Sequence, residues 1–273
     1  MSKTSSKGGA LGEALRSVFT VGVIILSFAI SWVIYKYVFG NPLFFEGGNP
    51  EGHPLPGNYL AIIYKGGVVV PFLITLNLIV IVFAFERGFT LFRAKGKGRI
   101  NVFVKGLQND LNNNKIEDAI VSCDKQRGSL ANVMKAGLLR YRALQNDVTL
   151  EKDQKILALQ KEFEEASALE LPMLSRNLVI ISTIASISVL TGLMGTVIGM
   201  IKAFGALAQA GAPDALALAN GISEALINTA FGIFGSLLAI IFYNFFSTQI
   251  DNFTYKIDEA GFSLVQSFAA ATK

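Results

Sequence analysis

The stretch LVIISTIASISVLTGLMGTVIGMIKAF, residues Leu178–Phe204, decides how the rest of the chain is read. Twenty-four residues pass before its first charge, Lys202. At about 1.5 Å of rise per residue they reach roughly 36 Å, enough to cross a hydrocarbon core about 30 Å thick with some tilt. At helical spacing Ala185, Ser188, Gly192, Gly195, Thr196, Gly199 and Ala203 share a small, partly hydroxylated face. Leu190, Leu193, Val197 and Ile201 share the opposite one. Lipid tails give helices no hydrophobic reason to pair, so small residues serve close backbone approach and hydroxyls serve interhelical hydrogen bonds. The stretch is expected to be a transmembrane helix with one face kept from lipid.

The segment Ile222–Phe246 answers it. Its small and polar face runs through Gly221, Ala225, Asn228, Thr229, Gly232, Gly235, Ser236 and Ala239, with Glu224 on the flank. Tight packing of the two helices accounts for Gly192, Gly195, Gly199, Gly232 and Gly235. It accounts less well for Thr196, Thr229, Asn228 and Glu224, because polar groups inside a membrane are costly unless they find partners.

Composition agrees with a membrane protein: 52% of the 273 residues are hydrophobic and 16% charged, too apolar for a soluble domain. Four segments concentrate the apolar residues, near Val18–Phe39, Val68–Phe85, Leu178–Phe204 and Ile222–Phe246. The net charge of +4 is a matter of topology rather than of nucleic-acid affinity. Of 24 Lys and Arg, 16 fall in Arg87–Arg176, while Gly40–Gly67 holds only Lys65 and Gly205–Gly221 none. The positive-inside rule then puts residues 86–177 in the cytoplasm and the two sparse loops outside, with both termini cytoplasmic. The expected order is a tail (1–17), a first span (18–39), a Pro/Gly-rich outer loop (40–67), a second span (68–85) and a cytoplasmic helical region (86–177). A third span (178–208), an outer turn (209–221), a fourth span (222–246) and a cytoplasmic C-terminal helix (247–273) complete it.

Met1–Gly9 is expected to be disordered, and Val18–Phe39 to be a retained helix, since its apolar run exceeds a signal-peptide core and FGNPLFF offers no small-x-small cleavage site. Pro50–Gly57 excludes helix. Val102–Leu111, Lys115–Asp124 and Leu130–Gln145 read as helices, the last with Val133, Gly137, Leu138 and Tyr141 on one face. Thr149 is placed to cap the next helix, on which Ile156, Leu159, Phe163 and Leu169 form an apolar face; a bend is expected near Pro172. Beyond Phe246, Phe253, Ile257, Phe262 and Val265 continue an amphipathic helix, and Pro213 with Asp214 marks an outer turn. The lone Cys123 permits no internal disulfide, and one cysteine far from the lone His53 makes no metal site.

GLMGTVIGMIKAF (Gly192–Phe204), GISEALINTAFGI (Gly221–Ile233) and IFYNF (Ile241–Phe245) together resemble the signature of the ExbB/TolQ/MotA family, membrane subunits of ion-driven motors in bacterial inner membranes. The resemblance covers about Phe83–Phe246 and is strongest to ExbB, with Val18–Phe39 as an added N-terminal transmembrane helix. It implies an all-α integral membrane protein with four transmembrane helices, long helices extending into a cytoplasmic helical bundle, and a ring-forming homo-oligomer, a pentamer. It also implies partners: an ExbD-like single-span protein with a membrane-embedded Asp, a TonB-like protein on the outside, and lipids, with no nucleic acid.

On that reading Thr196 and Thr229 line the pore and offer hydrogen bonds to the partner Asp, Glu224 and Asn228 polarise its entrance, and no cofactor is needed beyond a translocated ion, H+. The cores of the four segments contain no Asp, Lys, Arg or His, so the titrating group must come from elsewhere. Val189 and Leu238 stand where the family often has Pro, and Asn228 where Ala is common, which implies straighter helices and a more polar pore. TolQ-like envelope maintenance and a MotA-like stator are the alternatives. An autonomous transporter lacks its repeats and broken helices here, a structural membrane scaffold is more remote, and an intramembrane protease lacks its catalytic groups, so no enzyme is expected.

Overall fold

The computed structural model describes residues 5–50, 52–113, 115–147, 149–208 and 214–271, with side chains described from Val18. Its elements are α-helices α1 (Ser5–Val33), α2 (Tyr59–Tyr64), α3 (Val69–Ala94), α4 (Ile100–Asn112), α5 (Ile116–Gln126), α6 (Ser129–Gln145), α7 (Lys152–Ser175), α8 (Leu178–Leu207) and α9 (Ala215–Ala271). A single π-helical turn, Ile34–Phe39, continues α1. Among the described residues four helical stretches are long and apolar enough to cross a membrane: Val18–Phe39, Val69–Ala94, Lys152–Leu207 and Ala215–Ala270. The fourth apolar segment and the C-terminal amphipathic segment form one unbroken helix. It starts at Ala215 because Asp214 Oδ1 accepts from the N–H groups of Leu216 and Ala217, satisfying two of the orphan donors of its first turn. Pro213 lies outside the described residues. Of the tail expected to be disordered, residues 5–9 are helical within α1, and residues 1–4 lie outside the described residues.

The chain divides into two compact units. The first comprises Met1–Ala84 and Ile180–Tyr243. Within it α1 is fastened to α3 at two levels: Phe28 packs on Phe72 with ring centroids 5.5 Å apart, and the buried Ser31 hydroxyl donates to the carbonyl of Pro71. Tyr35 stacks on Tyr64 at 4.8 Å and donates to its carbonyl oxygen at 3.1 Å. Residues 52–58 are irregular, pinned by an antiparallel bridge between Phe45 and Pro54 and by Asn58, whose Oδ1 caps α2; Glu51 lies outside the described residues. Phe45 is buried under Tyr64, whereas Tyr59 is exposed. Pro71 sits in the first turn of α3, where a missing N–H costs least.

The second unit comprises Phe85–Val179 and Asn244–Lys273. Its core is a set of interlocked aromatic and aliphatic side chains. Phe163 of α7 lies so close to Gly137 of α6 that a Cβ there would sit 2.3 Å from its ring, and Tyr141 meets Phe268 edge-on at 4.7 Å. Four expectations shift here. The cap of α7 is Glu151, in a reciprocal capping box with Gln154, because Thr149 is already folded back onto Asp147. Leu169 and Phe262, expected on apolar faces, are 78% and 65% exposed. Pro172 is accommodated inside α7, and regular helix lapses instead at Arg176 and Asn177. That lapse leaves the carbonyls of Met173 and Leu174 without their own helical donors, and Arg87 Nη1 supplies both bonds, at 3.2 and 3.1 Å. Glu86 holds the guanidinium in place, accepting from Arg87 Nε at 2.7 Å and from Asn177 Nδ2 at 3.0 Å.

Candidate functional site

The small faces of α8 and α9 meet backbone to backbone inside the first unit. A Cβ on Gly199 would lie 2.7 Å from Ala225 N and from Gly221 O; one on Gly221 would lie 2.7 Å from Ala203 N. Gly192 and Gly232 face each other similarly, each within 3.0 Å of the other's Cα by the same construction. Leu190, Leu193, Val197 and Ile201 all point outward and are more than half exposed. Close approach of this kind is what glycine and alanine permit and larger side chains forbid.

Between these glycine levels the two threonines come together. Thr196 and Thr229 share a short hydroxyl–hydroxyl hydrogen bond, and both are half-buried. Each hydroxyl also reaches the carbonyl one turn back on its own helix, Thr196 to Gly192 at 3.2 Å and Thr229 to Ala225 at 3.1 Å. A hydroxyl has one proton, so the pair has two to distribute over these acceptors. The carbonyls keep their own helical N–H donors. Turning a proton away from one of them toward a new acceptor therefore strands no buried group. The pair is a site that can offer donors to an anion without ionising itself.

Glu224 and Asn228, grouped with the threonines on sequence grounds, face elsewhere. Asn228 is fully buried and donates from Nδ2 to Gly66 O at 2.9 Å; its Cβ and Cγ fill the space that a side chain on Gly195 would need. The carboxylate of Glu224 packs on Gly67, which has φ +73° and no room for a Cβ. Both oxygens of that carboxylate accept from Lys202 Nζ, at 2.7 and 2.8 Å, with the Glu224 side chain 8% exposed and that of Lys202 53%. Lys202 was legible only as the first charge of α8. The signal that could have found its role is its position, one turn beyond Gly199 and opposite the start of the facing polar run.

Residues 125–259, which contain every residue of this site on α8 and α9, match the sequence model of the MotA/TolQ/ExbB proton channel family. Over that stretch the chain belongs to the MotA/TolQ/ExbB proton channel family. Among its relatives is the Tol-Pal system protein TolQ of Pseudomonas aeruginosa, 32% identical over 117 residues, which cover 43% of this chain and 51% of TolQ. The biopolymer transport protein ExbB of Salmonella typhimurium is 38% identical over 73 residues, covering 27% of this chain and 30% of ExbB. The TolQ of Haemophilus influenzae is 39% identical over 82 residues, 30% of this chain and 36% of the relative. The chain thus spans between 30% and 51% of the length of these relatives.

Proposed function

We propose that this chain is the ring-forming subunit of a proton-driven motor in a bacterial inner membrane, of the ExbB type, with both termini cytoplasmic. Five copies enclose the single-span helices of an ExbD-like partner, and a membrane Asp on that partner carries the proton. What supports the reading is the facing Thr196–Thr229 pair, set between glycine-lined helices with two movable protons and no titratable group of its own. An ionised carboxylate away from water needs such donors, and protonation releases it from them. Alternating ionisation on two partner helices in a five-fold ring then biases rotation, and the work passes to a TonB-like protein that energises outer-membrane transport. The ion is H+, and no cofactor takes part. A TolQ-like role in the cell envelope is the second reading, favoured by the longer matched stretch in the TolQ of Pseudomonas aeruginosa.

Native mass spectrometry of the purified assembly tests this. A pentamer carrying a small single-span protein with a membrane Asp is the expected result. A stable monomer with no such companion overturns the proposal, and whether a TonB-like protein is the companion's own outer partner decides between the two readings.

A further inference from the structure

Three apolar helices of the first unit meet at Gly235, at a level of the fold where the threonine pair plays no part. A Cβ built there would lie 2.4 Å from Ser188 Oγ of α8, 3.0 Å from Asn77 Nδ2 and 3.3 Å from Asn77 Oδ1 of α3. The missing side chain thus leaves two polar groups from different helices facing one spot. Ser188 is fully buried and Asn77 only 9% exposed, and among the described residues neither Ser188 Oγ nor Asn77 Oδ1 has a hydrogen-bond partner. The orientation of the amide follows from its other bond. Asn77 Nδ2 donates to Leu73 O at 2.8 Å, and a carbonyl can only accept, so Oδ1 is the atom turned away from its own helix.

Two stranded polar atoms facing each other in an apolar bundle are costly, and sequence could have removed both with Ala and Leu. The sum of the two distances from the Gly235 point, about 5.7 Å, is the upper limit of the separation between Ser188 Oγ and Asn77 Oδ1. A water bonded to both at about 2.7–2.8 Å, its two bonds near the tetrahedral angle, spans roughly 4.4 Å, inside that limit. We propose that one water molecule bridges Ser188 Oγ and Asn77 Oδ1 beside Gly235 and is a fixed part of the protomer, joining α3 to α8 under α9. Water suits the site better than a metal cation, which needs six or more oxygens where only two are free here. The inference stands apart from the proposed ion path.

The sign of a single substitution tests it in the intact purified assembly. If the hydroxyl is bonded to water, Ser188→Ala lowers the unfolding midpoint, by about 2–4 °C for a chain of this size. Asn77→Leu does the same, and the double variant falls no further than the worse single, since both lose one bridge. If the hydroxyl is stranded and dry, Ser188→Ala leaves the midpoint unchanged or raises it, and the proposal fails. Should Asn77→Leu not assemble, Ser188→Ala still decides the matter together with a map fine enough to show ordered water. Density between the two atoms is expected, and a direct Ser188–Asn77 hydrogen bond with nothing between them overturns the bridge.

Discussion

Thr196 and Thr229 are where packing and ion handling make opposite forecasts. Thr→Val keeps the volume and removes the hydroxyl, so the α8–α9 contact survives while both movable protons are lost. If these hydroxyls steady a partner carboxylate, each substitution removes a hydrogen bond to a charged group, worth roughly 1.5–3 kcal/mol. That slows ion-coupled turnover about 10- to 200-fold if the loss falls on the limiting barrier. The Thr196→Val, Thr229→Val protein is expected to assemble normally and to fail in proton-dependent uptake; full uptake would return both residues to ordinary packing. Lys202 and Glu224 make a second pair. Removing the lysine alone leaves a buried carboxylate uncompensated, at a cost of about 3 kcal/mol given the half-exposed amine. Lys202→Met should therefore lower the unfolding midpoint more than Lys202→Met combined with Glu224→Gln. Equal losses in the two proteins would show that the carboxylate does not depend on this amine.

Elements are held together by two devices that differ in tolerance. The α8–α9 contact is backbone against backbone, so a side chain at Gly199 has nothing flexible to push aside: its nearest neighbours are Ala225 N and Gly221 O. Gly199→Leu is expected to separate the helices at a cost above the usual 1–3 kcal/mol of an overpacked core, seen as a lowered unfolding midpoint of the purified protein. Gly205→Leu is the control, since a Cβ there meets nothing within 4 Å. The junction of α7 and α8 is held instead by side chains, Arg87 and the Glu86 that fixes it. From Nη1 Arg87 serves two carbonyls that the lapse at Arg176 leaves open, while its Nε and Nη2 hold Glu86, four bonds where a lysine ammonium has about three donors.

For the whole molecule the open question is which surfaces face which side of the membrane. Cys123 cannot answer it, because it is 2% exposed and burial pushes its thiol up to about 12. The thiolate is the reactive form, so labelling of the folded protein should stay negligible from about pH 7 to 9, while an unfolded thiol titrates near 8.5. The sign for stability follows: the unfolded chain gives up this proton first, so the group's contribution is intact below about pH 8.5 and is lost as pH rises toward 12. Topology is better read in a Cys123→Ala background from new cysteines at Leu43 and Leu157, which are 79% and 67% exposed. An impermeant maleimide added from outside should reach position 43 and not 157. The reverse pattern would invert the proposed orientation and move both loops to the other side.

The sequence alone determined that the chain is helical, that four stretches can cross a membrane, and which faces of α8 and α9 are small. Composition and 3.6-residue periodicity are local properties, and each helix bears them whatever its neighbours do. Leu169 and Phe262 show the edge of that legibility: a face reads as apolar from spacing, yet only a neighbouring helix decides whether it is covered. Tertiary structure alone decided that Thr196 meets Thr229, that Lys202 takes up Glu224, that Asn228 turns to Gly66, and that Ser188 and Asn77 face one glycine. Those pairings join residues 22 to 162 positions apart. Periodicity reports the direction in which a side chain leaves its own helix axis. Partnership depends as well on the register at which two helices pack, and that register is set by backbone contact at glycines distributed over both.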